Sequence, residues 1–102
     1  MRILLVGAGG VGDAIVKIAA NRNFFEKIVV ADYDLARAEK SVAWVAEHHK
    51  PEVAERFEAS QIDASNPENV AAKVREFNIT HVMNAVEPKF VQSIFQGALD
   101  GG

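Results

Sequence analysis

The chain has 102 residues, of which 49% are apolar and 25% charged, a size and composition typical of one globular domain spanning residues 1–102. Its net charge of −3 gives no electrostatic basis for binding nucleic acid, and the absence of cysteine excludes a disulfide framework and a thiolate metal site. The first apolar run, Ile3 to Val6, is too short for a signal-peptide core or a membrane span, so we expect a cytoplasmic protein with no membrane partner.

A glycine turn follows this first apolar run, which we interpret as a buried strand. Gly7, Gly9 and Gly12 have the spacing of the dinucleotide fingerprint. Gly7 permits the sharp turn, Gly9 lets a pyrophosphate approach the main chain, and Gly12 lets the next helix lie close on the strand. That helix starts near Gly10 and directs its unpaired N–H groups at the phosphates. The predicted cofactor-binding residues of the turn are Gly7, Gly9, Gly10, Val11 and Gly12. A strand-to-helix turn that binds no ligand is the alternative.

The helix after the turn has one apolar face, which we expect to pack on a sheet. The predicted face consists of Val11, Ala14, Ile15, Ile18 and Ala19. Phe24 and Phe25 are expected to cover the bottom of the sheet, just before a second buried strand from Ile28 to Ala31.

Asp32 closes the second strand, about 20 residues after the glycine turn, where the fingerprint places the ribose-binding acid. A carboxylate there accepts from the ribose hydroxyls of NAD and repels the 2′-phosphate of NADP. We therefore predict NAD as the cofactor, with NADP possible. Arg37, in the first turn of the next helix, is placed to cover a 2′-phosphate. The alternative role for Asp32 is to cap that helix.

The second helix is predicted from Leu35 to His48. Its inward residues are expected to be Leu35, Ala38, Val42 and Val45. Trp44 lies beside this face and is expected to be a flanking core contact. His48 and His49 point about 100° apart on a helix and cannot easily share an ion, so we predict no metal site.

A third strand, from Arg56 to Ile62, alternates in polarity as an edge strand does. Asp63 and Ala64 stand at its C-terminal end, where ligands gather in parallel sheets, and we expect Asp63 to accept from the adenine amino group. A helix-capping role for Asp63 is the alternative. Asn66 and Pro67 then begin a helix that reaches Phe77. Its predicted inner face consists of Val70, Ala71, Val74 and Phe77.

The fourth strand is predicted from Thr80 to Val86. In a 3-2-1-4 order it lies beside the first strand across the topological switch point, so its end lines the ribose and nicotinamide side of the cleft. The predicted cofactor-binding residues here are Asn84, Ala85, Val86 and Pro88. Pro88 also begins a last helix, with Gly101 as its cap. The predicted fold is an α/β, Rossmann-like, three-layer α/β/α domain with a parallel sheet in 3-2-1-4 order, truncated before strand five.

Four stretches of this sequence together resemble the N-terminal domain of the saccharopine dehydrogenase-like family, over the whole chain. The stretches are Met1 to Gly12, Ala31-Asp32, Ile62-Asp63-Ala64-Ser65 and Asn84-Ala85-Val86-Glu87-Pro88. The resemblance implies a domain that binds NAD or NADP in an oxidoreductase, with hydride transfer to or from an amine or imine carbon of an amino-acid-derived substrate.

The resemblance also implies a C-terminal substrate and dimerisation domain that carries the acid–base groups. We therefore expect the 102 residues to be a fragment that is inactive alone, and the protein to be a homodimer. The unpaired edge expected at the fourth strand adds to this expectation of self-association.

Three other classes of protein share part of this sequence pattern. Enzymes that activate ubiquitin-like proteins with ATP share the turn and the acid, but they continue with an Asn-Leu-x-Arg-Gln segment where this chain has Asp34-Leu35-Ala36-Arg37-Ala38. Shikimate dehydrogenase-like enzymes carry a catalytic domain before the glycine motif. Nucleotide-sensing domains of potassium transporters bind NAD as a regulatory ligand and remain the non-enzymatic alternative.

Overall fold

The computed structural model describes residues 1–85. Within these residues the elements follow in the order β1 Arg2–Val6, α1 Gly10–Ala19, β2 Lys27–Asp32, α2 Leu35–His48, α3 Pro51–Ala54, β3 Phe57–Gln61, α4 Pro67–Glu76 and β4 His81–Asn84. The last predicted helix, with Pro88 and Gly101, lies outside the described residues, as do Val86 and Glu87.

All the strand pairs of the sheet are parallel, and the strand order is β3-β2-β1-β4. The predicted 3-2-1-4 order is thus confirmed. Val6, at the end of β1, lies in register with Ala31 of β2 and Asn84 of β4. Asp32 is likewise in register with Gln61, the last residue of β3. The carboxyl ends of the four strands therefore meet at one edge, which collects the segments predicted to bind a ligand.

Helices cover both faces of the sheet. Ile3 and Leu5 belong to the core cluster that contains the buried residues of α1 and α2. Leu4 points the other way and belongs to a second cluster, against which Val70 and Val74 of α4 pack. The α/β/α layering is as predicted. Because β1 and β2 are covered on both sides, their sequences are continuous apolar runs without alternation.

Helix α1 faces the sheet with a different set of residues from the predicted one. Its buried residues are Gly12, Ile15, Val16 and Ala19. The prediction that Ala14 and Ile18 point inward was wrong, since both are exposed, Ile18 by 47%. Gly12 lies directly against the turn, and this contact sets the rotation of the helix. The buried residues are therefore those three, four and seven positions after Gly12.

Helix α2 has the predicted bounds, but its inner face differs from the prediction at two positions. Leu35 is 40% exposed because it begins the helix just beyond the end of β2, past the edge of the sheet. Ser41, a polar residue, is buried on the inner side. The prediction for Trp44 is confirmed, since it packs against the core, and its ring stacks on His48 with centroids 4.4 Å apart.

The remaining elements are close to the predicted ones. Phe25 is buried at the lower end of the sheet, in edge-to-face contact with Phe24 and Phe57 at 5.2 and 5.5 Å. Asn66 caps α4 by accepting from the Glu68 amide, and the apolar face of α4 is only half-buried. Helix α3 was not predicted, because a single turn is too short to show a helical period.

Candidate functional site

The turn after β1 depends on Gly7. Its φ is +105°, a conformation that residues with a Cβ rarely adopt. Its N–H donates to the Ala31 carbonyl at 2.7 Å, which anchors the start of the turn to the end of β2. A Cβ at Gly7 would lie 3.5 Å from the Cβ of Ala85, an ordinary contact. The backbone angle, and not lack of space, therefore requires glycine at this position.

Gly12 is required for the opposite reason, which is lack of space. A Cβ there would lie 1.8 Å from the carbonyl oxygen of Gly7 and 2.8 Å from its carbonyl carbon. No side chain fits between the first turn of α1 and the glycine turn. Gly12 thus brings α1 into direct contact with the chain that leaves β1, as the sequence predicted.

Gly9 and Gly10 form the open part of the turn. Both are exposed, and a Cβ on either would meet nothing within 4 Å. Gly9 is the N-cap of α1, and its carbonyl accepts from the Asp13 amide at 2.8 Å. Among the described residues, no hydrogen bond satisfies the amides of Gly10, Val11 and Gly12. These donors and the positive end of the helix dipole favour an anion at this end of α1.

Asp32 holds the turn through its side chain. One carboxylate oxygen, Oδ2, accepts from the Ala8 amide at 2.7 Å, and the other, Oδ1, accepts from the Asp34 amide at 2.8 Å. The cap of α2 is Asp34, whose side chain accepts from the Ala36 amide at 3.0 Å. Asp32 is therefore not the helix cap. Each of its oxygens still has lone pairs for a further donor.

One cleft at the carboxyl edge brings eight of the predicted residues together. Its volume is about 260 Å³ and its lining consists of Gly7, Gly9, Gly10, Val11, Gly12, Asp32, Arg37 and Ala85. The glycine turn, the end of β2, the start of α2 and the residue after β4 thus share one open space. Arg37 is mostly exposed, and its only ion pair in the described part of the chain is a long one to Asp34, at 3.9 Å.

Asn84 and Ala85 lie at the end of β4, beside this cleft. Asn84 is the last residue of the strand, opposite Val6, and Ala85 donates its amide to the Val6 carbonyl at 2.9 Å. Ala85 lines the cleft and Asn84 does not. The predicted contacts of Val86 and Pro88 fall outside the described residues.

Asp63 and Ala64 stand at the end of β3 but do not line the cleft. The Asp63 carboxylate accepts from the hydroxyl and the amide of Ser65, and these two hydrogen bonds lower its pKa below the ordinary value for aspartate. Asp63 lines a separate cavity with residues of α4, including Asn69 and Lys73. In this structure it stabilises the loop before α4.

A second cleft, which shares Gly9, Gly10 and Arg37 with the first, contains residues that the sequence did not predict. It has a volume of about 260 Å³ and its lining consists of Ala8, Gly9, Gly10, Asp13, Arg37, Lys40 and Ser41. The signal for Ser41 was present in the sequence, since it lies three residues after Ala38 and four before Val45 on the same helix face. Lys40 gave no such signal, because an exposed lysine on a helix is common.

Asp13 is the acidic residue among those that line this second cleft. It accepts from the Ser41 hydroxyl at 2.9 Å and pairs with Lys17 at 3.0 Å. Burial acts to raise its pKa, but the hydrogen bonds from Lys17 and Ser41, with the charges of Lys17 and Lys40, lower it overall. Asp13 is therefore ionised at neutral pH, with its charge balanced inside the protein.

Comparison with known proteins identifies the family. The family model described as "Saccharopine dehydrogenase NADP binding domain" matches residues 3–102. The chain belongs to this family. The resemblance found in the sequence is therefore confirmed, and with it the assignment of the chain as a dinucleotide-binding domain of a dehydrogenase-like family.

Two known proteins are similar to this chain, one in sequence and one in fold. Carboxynorspermidine synthase of Vibrio cholerae is 30% identical over 90 residues, which cover 86% of this chain and 22% of that protein. This chain thus spans about a fifth of the length of that relative. The solved structure of menthone neomenthol reductase from Mentha piperita superposes with a TM-score of 0.68 at 19% identity. It covers 99% of this chain and 40% of the reductase, a likeness that shows the shared fold.

Two further observations apply to residues 1–85. They contain no group of three or more His, Cys, Asp or Glu side chains arranged to hold a metal ion. None of their helices combines the length and the apolar character needed to cross a membrane.

Proposed function

We propose that this chain holds NAD in the cleft between the glycine turn and Asp32, as the cofactor-binding part of an oxidoreductase. The observation that supports it most directly is the shared lining of that cleft, in which the open amides of α1 and the Asp32 carboxylate face one space. The pyrophosphate contacts Gly9, Gly10 and Val11, and the adenosine ribose contacts Asp32. Ala85, with Asn84, Val86 and Pro88, borders the ribose and nicotinamide side.

NAD is the preferred cofactor in this proposal because of the charge of Asp32. Its oxygens accept from the ribose hydroxyls through charge-assisted bonds worth about 1.5–3 kcal/mol. A 2′-phosphate at about 4 Å would instead be repelled by about 4 kcal/mol per unit charge at an effective dielectric of about 20. Arg37, which lines the same cleft, offsets part of this repulsion.

The proposed reaction is hydride transfer between the nicotinamide and an amine or imine carbon. Membership of the family and the similarity to carboxynorspermidine synthase support this substrate class. The nicotinamide supplies the hydride chemistry, and this chain binds and orients it. The acid–base groups are expected outside this chain, in a substrate and dimerisation domain, so we expect the 102 residues to bind cofactor without turnover.

Calorimetric titration of NAD into the Gly9→Val variant tests the site. Gly9 has a φ of −71°, which any residue adopts, and a Cβ added there would meet nothing within 4 Å. The variant is therefore expected to fold normally. The valine side chain occupies the path of the pyrophosphate, and NAD binding is expected to be lost.

The matched control is Ala46→Val, which adds a similar side chain at an exposed position of α2 outside both clefts. It should bind NAD as the unmodified chain does. Unchanged affinity in a folded Gly9→Val variant would contradict the proposed site.

A further inference from the structure

We propose that Lys40 is a second cofactor-specificity residue, which together with Arg37 holds the 2′-phosphate of NADP in the cleft between the glycine turn and α2. This inference rests on the proposed function and deepens it. It explains how a domain whose Asp32 favours NAD also admits NADP.

The two cations point into the same space. Arg37 and Lys40 are three residues apart on α2, so their side chains are neighbours on one side of the helix. Both line the second cleft, together with Gly9 and Gly10 of the turn. Arg37 also lines the first cleft, where Asp32 lies. The two clefts thus adjoin at Arg37 and the turn.

Neither cation is strongly engaged within the described part of the chain. The pair between Arg37 and Asp34 is 3.9 Å long, with side chains 65% and 56% exposed, and such a pair contributes little. Lys40 has no ion pair within 4 Å among residues 1–85. Both side chains can therefore turn toward an anion without breaking a strong contact.

Asp13, the acid in the second cleft, offsets only part of this positive charge. Asp13 is already bonded to Lys17 at 3.0 Å and to the Ser41 hydroxyl at 2.9 Å. Lys40 also acts on Asp13 through its charge. The charged side chains that line the cleft are nevertheless two cations, Arg37 and Lys40, against the one acid. The cleft therefore offers a net positive charge next to the ribose site.

Arg37 and Lys40 together are suited to bind a phosphate monoester. It carries a charge of about −1.5 to −2 at neutral pH, and it accepts both the planar fork of an arginine and the point charge of a lysine. NAD has no such group on its adenosine ribose. Lys40 should accordingly affect NADP and leave NAD unchanged.

The test is calorimetric titration of NAD and NADP into the purified protein and its Lys40→Gln variant. Glutamine has a helix propensity close to that of lysine, so the fold is retained while the charge is removed. We expect NADP affinity to fall about three- to tenfold and NAD affinity to stay constant. Lys40→Arg, which keeps the charge, should retain NADP binding. Lys50→Gln is the matched control, since Lys50 is exposed, precedes α3 and lines neither cleft.

The salt dependence of the NAD and NADP affinities is a second measurement. Between about 0.01 M and 0.15 M salt the Debye length falls from about 30 Å to about 8 Å, which weakens contacts between exposed charges. NADP affinity should therefore fall more steeply than NAD affinity, and Lys40→Gln should reduce the difference in slope.

Three results would contradict the proposed role of Lys40, and each would have a different meaning. Equal NADP affinities in Lys40→Gln and Lys50→Gln would overturn the role of Lys40, and equal losses for NAD and NADP would place Lys40 at a part of the cofactor that both share. If neither cofactor binds the unmodified protein, the proposed function and this inference fail together.

Discussion

The Asp32 carboxylate is both a proposed ligand-binding group and a structural one. It accepts from Ala8 in the glycine turn and from Asp34 before α2, so it joins two segments that the sheet alone leaves separate. The sequence placed this acid correctly by its distance from the turn. The bond from Ala8 could not be predicted, because side-chain acceptance from a loop amide 24 residues away has no sequence pattern. The bond from Asp34, two residues on, is a local turn that the sequence reading did not consider.

Asp32→Asn should therefore affect binding and stability together. An asparagine has one acceptor oxygen, and its NH₂ group would face either the Ala8 or the Asp34 amide, leaving one donor unsatisfied at a cost of about 1–3 kcal/mol. We expect lower NAD affinity, a smaller preference for NAD over NADP, and a lower free energy of unfolding in urea. An unchanged ratio of NAD to NADP affinity in the folded variant would remove Asp32 from the ribose site.

Gly12→Ala should destabilise the fold itself. The new Cβ would meet backbone atoms of Gly7, which cannot rotate away as a side chain can, so the cost is expected to be about 3 kcal/mol or more. Urea denaturation measures it. Gly10→Ala is the control for stability, because its Cβ meets nothing within 4 Å, and it should not destabilise the fold. Equal stability of the two variants would show that α1 can move off the turn.

At the scale of elements, α1 and α2 are joined by the bond between Asp13 and the buried hydroxyl of Ser41. We expect Ser41→Ala to lower the free energy of unfolding by about 1 kcal/mol. A double-mutant cycle with Asp13→Ala should show coupling between the two sites. Additive effects would mean that the bond contributes nothing to stability.

The contact between Asp13 and Ser41 also predicts that the stability of the fold depends on pH. The pKa of Asp13 in the folded protein lies below its ordinary value of 3.8, so folding favours the ionised form. Its contribution to stability is therefore full above about pH 5 and is lost as the pH falls below 3.8 toward the folded pKa. The stability difference between the unmodified protein and Asp13→Asn should shrink over that range, and a constant difference would contradict it.

The elements show which parts of the fold the sequence predicts. The strands, the bounds of α2 and the glycine turn follow from apolar runs, a regular period and special backbone angles, all of which are local. The strand order is not local, and it was predicted from the dinucleotide-binding fold that the glycine fingerprint indicates. The inner face of α1 did not follow, because glycine was not counted as a buried residue although Gly12 fixes the rotation of the helix. The second cleft depends on how α1 and α2 pack, and its polar lining residues resemble ordinary surface residues.

For the whole molecule, cofactor binding should appear as thermal stabilisation. A ligand that binds the folded state at about 100 times its Kd adds about 2.7 kcal/mol, which raises the Tm of a domain of this size by about 10 to 20 °C. Scanning calorimetry with and without NAD measures the shift. The Gly9→Val variant should show none, and an equal shift in both proteins would place the binding elsewhere.

The homodimer stays a prediction. In residues 1–85, β4 pairs with β1 alone and forms one edge of the sheet. Sedimentation of the purified protein at high concentration is expected to show self-association, and a strict monomer would contradict it.

The hydrogen bonds of the glycine turn also have a kinetic consequence. Gly7 is bonded to Ala31 and Ala8 to Asp32, so the protein's own contacts order the loop before any ligand arrives. Binding then costs little loop entropy and needs no slow rearrangement. NAD should associate in a single step whose observed rate rises linearly with its concentration, as for a rigid receptor limited by encounter.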